Sequence, residues 1–483
     1  MKQVRKVLVA GSGTAGLVAA IILKTRLNIE VDVLSSDKIG IIGVGEGSTE
    51  HFKEFMDFAG IDQYDFIKNT DATYKAGIMF EGWSDSTFLH SVAYPFDIKL
   101  GQYNAIYANQ ISRNSKYTTP KYTWDNKISS NYLGNPSLFP YNQFHFDSYK
   151  LNEYLIQISK SKGINFFDDE IKDILLNSDG EIKSVVGDNK IYEYDFFIDA
   201  TGFKRKLIDK LGGKWKSCQE FLKLNSAITF ETRDEGNINS WTLSKAMDSG
   251  WLFRIPTWSR QGNGYIFDSN YISYETAHQE VENLFQQPVE IGRHLSFEPG
   301  YLENVWIKNC CAIGLSGSFF EPLEASSIGT SIQQSFLLMH NLINYNESII
   351  KSYNESFQAI AENIRDFIIL HYITNKDNSN FWKDLQHQKI PDSLQQKMEL
   401  WKCRLPIDED FKKSSDYCLF TAHNFTLVLH GLGLLNIDSI KSEYESQKLE
   451  IRVACDQVIE DSLNDEKGSF VSHREMIEFI RSN

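Results

Sequence analysis

The sequence predicts an α/β protein with a nucleotide-binding core, a sheet laid over it and a helical C-terminal region. Three observations predict this. A short apolar strand, Val7–Ala10, runs straight into Gly11-Ser12-Gly13-Thr14-Ala15-Gly16 and then a helical apolar run, Leu17–Leu23. Two later segments, 195–203 and 311–317, also end an apolar strand in a small polar turn. The middle of the chain reads mostly as strands and turns, and beyond residue 333 the pattern is mostly helical.

The first unit is GxGxxG in its required setting of strand, turn, helix and second strand (Val31–Leu34). Gly11 allows the tight turn, Gly13 lets backbone approach a pyrophosphate, and Gly16 lets helix pack on strand. This is a Rossmann-like dinucleotide signature. The second strand ends in Ser35, not the Asp or Glu that would hold ribose hydroxyls, and Asp37 lies further along the turn. The next segment, Gly43-Val44-Gly45-Glu46-Gly47-Ser48-Thr49, has three glycines in five residues. Backbone there can lie close to something flat or anionic, although a plain loop has the same composition. Thr73–Trp83 reads as one strand with period-two alternation and places Lys75 among apolar residues. Most lysines are solvated; one held in an apolar tunnel loses basicity and can react.

His145-Phe146-Asp147 precedes a helical run, Leu151–Leu155. Strands follow at Gly163–Phe166 and Glu170–Ile174, the latter including Ile171, with a hairpin signal at Asn177–Gly180. The strands and turns of the middle segment suit a substrate floor over the core. Asn309–Ile332 then carries a strand (Cys311–Ile313), a glycine turn and Glu321-Pro322-Leu323-Glu324. Small residues and a helical pattern (Ile328, Ile332, Phe336, Met339) come after them. A helix start behind a glycine turn offers unpaired amides to an anion; an ordinary capped turn would read alike. His371 and the aromatics near it read as core, and Ser439–Asn483 reads as two amphipathic helices without a chemical motif. The organisation expected is a core over 1–385 with a sheet portion at about 80–145 and 205–300, then a helical region over 386–483.

Composition bounds the partners. With 483 residues, 42% apolar and 23% charged, the chain is an ordinary globular protein. A net charge of −15 argues against nucleic acid and anionic membranes. No apolar run reaches the roughly 18 residues of a membrane span, and the N-terminal segment reads as fold, not as a signal peptide. Six cysteines without CxxC or zinc spacing point to a reducing cytoplasm and no metal.

Together these motifs resemble the flavin-dependent halogenases, in particular the tryptophan-halogenase branch. They run in order from Gly11–Gly16 through Gly43–Thr49, Thr73–Ile78, His145–Asp147, Asp199–Phe203, Trp251…Ile255-Pro256 and Gly314…Glu324 to Asp366…Trp382. The resemblance implies an FAD-binding fold of the flavin monooxygenase type. It also implies FADH2 from a separate NAD(P)H-dependent flavin reductase, with O2 and a halide (chloride, bromide or iodide) as co-substrates. Hypohalous acid would pass through a tunnel to Lys75 and then to an electron-rich arene such as an indole or tryptophan. Glu324 matches the partner glutamate, and Ser326 and Ser327 the amides that bind halide. Flavin contacts would fall at Gly11, Gly13, Thr14, Ala15, Gly16, Ser35, Val44, Gly47, Ile171, Leu315 and Ile328, and Phe96 would line the substrate pocket. Two departures stand out: Ala325 replaces the family's usual serine, and Phe253 replaces the second tryptophan of Trp-x-Trp-x-Ile-Pro. The resemblance leaves self-association open. A single-component monooxygenase would not need Lys75, and an inactive flavin scaffold would need neither Lys75 nor Glu324.

Overall fold

The computed structural model describes residues 2–40, 46–92, 102–112, 121–133, 141–234, 236–411, 417–465 and 468–483. Val44 and Phe96 lie outside the described residues. The central sheet has six strands in the order Trp306–Ile307, Cys310–Ala312, Phe196–Asp199, Lys6–Ala10, Glu30–Ser35, Asn165–Asp168. The last five run parallel, so Ala312, Asp199, Ala10, Ser35 and Asp168 all end at one edge. The three strand-and-turn units of the sequence are therefore neighbours in space. That edge is where open α/β sheets bind ligands.

The Thr14–Arg26 helix packs behind the first strand. It is buried continuously from Gly16 to Leu23, as its apolar composition on every side requires. The Ser326–Asn341 and Ser148–Ser161 helices cover it on both sides.

A seven-stranded sheet forms the second layer. Its order is Ile291–Ser296, Ser226–Arg233, Arg260–Phe267, Gly250–Pro256, Trp241–Met247, Gly77–Glu81, Phe88–Ser91. The middle segment thus forms a sheet, as its pattern predicts. The described part of 80–145 also carries a helix, Gln102–Ser112.

Thr73–Trp83 differs from the single alternating strand expected. Thr73–Lys75 pairs with Gln143–His145, while Gly77–Glu81 joins the seven-stranded sheet. The chain changes sheets at Ala76, so every residue from Thr73 to Phe80 is buried and no solvent face exists to alternate with. The C-terminal tail also differs. It holds helices at Ile437–Glu445, Leu449–Asp465 and His473–Ser482, with a strand at Phe470–Ser472 that pairs with Lys127–Ser129. The Phe470–Ser472 run is too short to show a period by itself, and its partner strand lies more than 300 residues earlier.

Candidate active site

Two of the three glycines, Gly11 and Gly16, stand where a side chain would collide with backbone. Gly11 has φ +114°, and a Cβ there would stand 2.2 Å from the Ala200 carbonyl oxygen. A Cβ on Gly16 would meet the Gly11 carbonyl at 2.1 Å. A Cβ on Gly13 would meet nothing within 4 Å, so the turn is open where a ligand would lie. Gly13 is the N-cap of the Thr14–Arg26 helix, and no side chain caps that helix. The helix start therefore offers its amides and positive dipole end outward. Asn152 Nδ2 steadies the turn by donating to Ser12 O at 2.7 Å.

The neighbouring turns join this one. A Cβ on Gly314 would stand 2.5 Å from Ala15 Cβ, so the Gly314–Ser316 turn abuts the start of the first helix. Asp199 ties the turns together. Its carboxylate accepts from Thr201 N, Leu207 N, Ile208 N and the Ser316 hydroxyl. Leu315 is half-buried in that turn, and Ser35 ends the strand that pairs with Lys6–Ala10. The Ile171 carbonyl accepts from Lys206 Nζ, and Ile328 is half-buried in the first turn of its helix. The open space at Gly13 leaves room for a diphosphate beside the uncapped helix start.

Lys75 is 1% exposed and donates from Nζ to Ser48 O at 2.9 Å. Ser48 is clamped in turn: its N–H donates to Phe144 O and its hydroxyl accepts from Phe144 N, both at 2.9 Å. Burial lowers the Lys75 ammonium to about 8, against the opposing pull of Glu324 and Glu50. The same short segment reaches the helix start. A Cβ on Gly47 would lie 3.5 Å from Ala325 Cβ. One loop therefore touches Lys75 through Ser48 and the 324–326 turn through Gly47.

That turn is strained. Glu324 (φ 65°, ψ 9°) and Ala325 (φ 53°, ψ 32°) are consecutive left-handed residues without being glycines, at a cost of about 1–3 kcal/mol each. They turn the chain so that the Glu324 side chain points inward while Ser326 opens the next helix, again without a side-chain cap. Ser326 is buried and Ser327 half-buried. Glu324 itself is 4% exposed. His90 Nδ1 lies 2.8 Å from both of its oxygens, and His371 Nε2 lies 3.0 Å from Oε1. Burial by itself would push Glu324 up, but the two imidazoles outweigh it and hold the carboxyl well below the usual range.

His371 is buried, as its core reading expects, and is also a partner of Glu324. Sequence reasoning gave His90 no role. The available signal was general: a histidine inside an apolar helix or strand must find polar partners. Trp251 is also placed by a carboxylate, because its Nε1 donates to Glu321 Oε2 at 2.9 Å. Phe253 lies over Gly264, where a Cβ would meet its ring at 2.4 Å.

The tryptophan halogenase family profile matches residues 6–442. A 7-chloro-L-tryptophan 6-halogenase of Kutzneria sp. (strain 744), KtzR, is 28% identical over 454 residues, which cover 83% of this chain and 86% of that protein. The crystal structure of a tryptophan halogenase from Shewanella frigidimarina superimposes with a TM-score of 0.89 at 25% identity, over 100% of this chain and 98% of that one. A flavin-dependent halogenase from Xanthomonas campestris superimposes with a TM-score of 0.85 at 27% identity, over 99% and 98%.

Proposed function

The chain belongs to the tryptophan halogenase family and is a flavin-dependent halogenase of aromatic substrates; from that premise we propose that Lys75 delivers the halogen and Glu324 stabilises the charge that develops. FAD, held as FADH2 at the Gly11–Gly16 edge, would supply hypohalous acid from O2 and halide. The observation that carries the reading is the loop 46–49, which links a fully buried lysine to the strained turn that holds Glu324.

The chain's own groups divide the work. The uncapped amides of Ser326 and Ser327 suit a halide ion, because a helix start favours a small anion. Lys75 is mostly ammonium at neutral pH, since its value is about 8, and a desolvated ammonium donates a strong hydrogen bond to hypohalous acid. Glu324 is a poor proton acceptor while its partners hold it low. Its negative charge instead stabilises the cationic ring formed when the electrophile adds. The proton that leaves the ring goes to solvent or to a neighbouring group more basic than Glu324. The substrate we infer is an indole or a tryptophan-like arene. The reductant comes from a separate NAD(P)H-dependent flavin reductase, and the setting is the cytoplasm, where six cysteines, all free, would stay reduced.

The test is Lys75→Ala. Halogenated product should vanish while FAD affinity and NADH-driven peroxide release persist. In the wild type, product formation should fall as pH rises through about 8. Normal halogenation by the variant would remove Lys75 from the pathway, and a rate that rises through that pH would assign the free amine as the reacting form.

A further inference from the structure

The hydrogen-bond roles around Glu324 are determined by groups that can act in one sense only. His371 stands between two acceptors. Its Nδ1 is 2.8 Å from the Phe367 carbonyl oxygen, and its Nε2 is 3.0 Å from Glu324 Oε1. A backbone carbonyl never donates, and neither does an ionised carboxylate. With Glu324 ionised, both nitrogens of His371 carry protons; a neutral His371 would instead place a proton on Glu324 Oε1. His90 is in the opposite position. Its Nε2 lies 3.2 Å from Asn424 Nδ2. The orientation of that amide is fixed, because Asn424 Oδ1 accepts the Thr421 N–H at 2.8 Å and its hydroxyl at 3.3 Å. An amide nitrogen only donates. His90 Nε2 is therefore bare, and its single proton sits on Nδ1, facing both oxygens of Glu324 at 2.8 Å.

We propose that His371 is an imidazolium paired with Glu324, and that His90, set in its Nδ1–H tautomer by Asn424, completes a clamp that keeps the carboxylate ionised and aimed. The proposal rests on reading Glu324 as a group that acts in halogenation, and it makes His371, His90 and Asn424 positioning residues. The clamp also answers the strain at Glu324 and Ala325, since three hydrogen bonds hold the side chain that the left-handed turn directs inward. It leaves the Glu324–His371 pair with no net charge. Lys75 and Glu50 are the other charged groups acting here, from the Thr73–Lys75 strand and the loop before residue 51. His145 and His423 stand beside Lys75 and His90, and burial keeps both neutral. Asn424 lies on the Ala422–Gly431 helix, so a C-terminal element sets the state of a reaction-centre carboxylate.

Two readouts test the clamp in the full-length protein. The first is a long-range proton–nitrogen correlation spectrum of histidine-labelled protein at neutral pH, with His371→Gln and His90→Gln as assignment variants. His371 should appear with both nitrogens protonated and His90 as the Nδ1–H tautomer. Asn424→Leu should release His90 to the other tautomer, and Asn424→Asp should turn it into a second imidazolium. The second readout is the pH profile of kcat. In His371→Gln an acidic limb should appear as Glu324 gains a proton, with kcat down roughly tenfold for each unit by which pH lies below the new value, and KM for the arene within about twofold. A neutral His371, or a His371→Gln profile that keeps the wild-type shape, overturns the proposal. Should His371→Gln fail to fold, the tautomer shift in Asn424→Leu decides alone, and an unchanged His90 signal overturns the clamp. Glu324→Gln separates the two claims: full activity in that variant with the spectra as predicted would end the catalytic role of Glu324 and leave the clamp standing as structure.

Discussion

Glu321 is a buried carboxyl three residues before Glu324, and its surroundings act in the opposite direction. Trp251 Nε1 and the Tyr372 hydroxyl both donate to Oε2, at 2.9 and 2.7 Å, while Oε1 has no partner among the described residues. Burial raises its pKa to about 7 in spite of those hydrogen bonds. The folded chain therefore holds a proton that the unfolded chain loses near the ordinary value of 4.5. Stability from this group is full below the unfolded value and is lost as pH rises through about 7. Glu321→Gln should remove that loss, so the gap in Tm between pH 5.5 and pH 8 should narrow in the variant. An unchanged gap would show that Glu321 does not carry it. At this scale the sequence was partly legible. The buried Lys75 and Glu324 could be singled out from the sequence, because each sits in a short segment of marked composition. His90, His371 and Asn424 could not, since their roles arise only where a strand, a long helix and a C-terminal helix meet.

The glycine turn after the first strand was the element most legible in the sequence. Each of its glycines answers a local steric demand, and local demands leave a sequence pattern. Gly11 and Gly16 are closed in by backbone, whereas Gly13 faces open space. Gly13→Val should accordingly fold with a Tm close to wild type and lose FAD affinity. Retained binding, followed by flavin fluorescence, would place the diphosphate elsewhere. The Thr73–Phe80 segment was misread for a physical reason. Period two reports a buried and a wet face, and a strand that changes sheets midway has no wet face. The 324–326 turn stands between these cases. Its small residues marked a helix start, but nothing in Glu324-Ala325 announces two consecutive left-handed residues.

On the scale of the whole molecule, the C-terminal region reaches back to the strand that carries Lys75. His473 is fully buried, and its Nε2 accepts the N–H of Tyr74, the residue before Lys75, at 3.1 Å. Burial lowers its pKa to about 4, which keeps it neutral and able to accept. His473→Ala would leave that N–H unpaired, at about 1–3 kcal/mol, read as an earlier midpoint in urea. It should also slow halogenation without weakening FAD binding, because the flavin edge belongs to the other sheet. An undisturbed midpoint would remove His473 from the support of Lys75. This coupling was invisible in the sequence, where the two partners lie 399 positions apart. The central claim, flavin-dependent halogenation of an arene, is tested most directly by mass spectrometry of product. The purified chain is given FAD, a generic flavin reductase, NADH, air and a panel of indoles, with chloride, bromide or iodide in parallel. The account predicts a halogen mass shift that follows the salt supplied. A shift of one oxygen that is indifferent to the salt would contradict it.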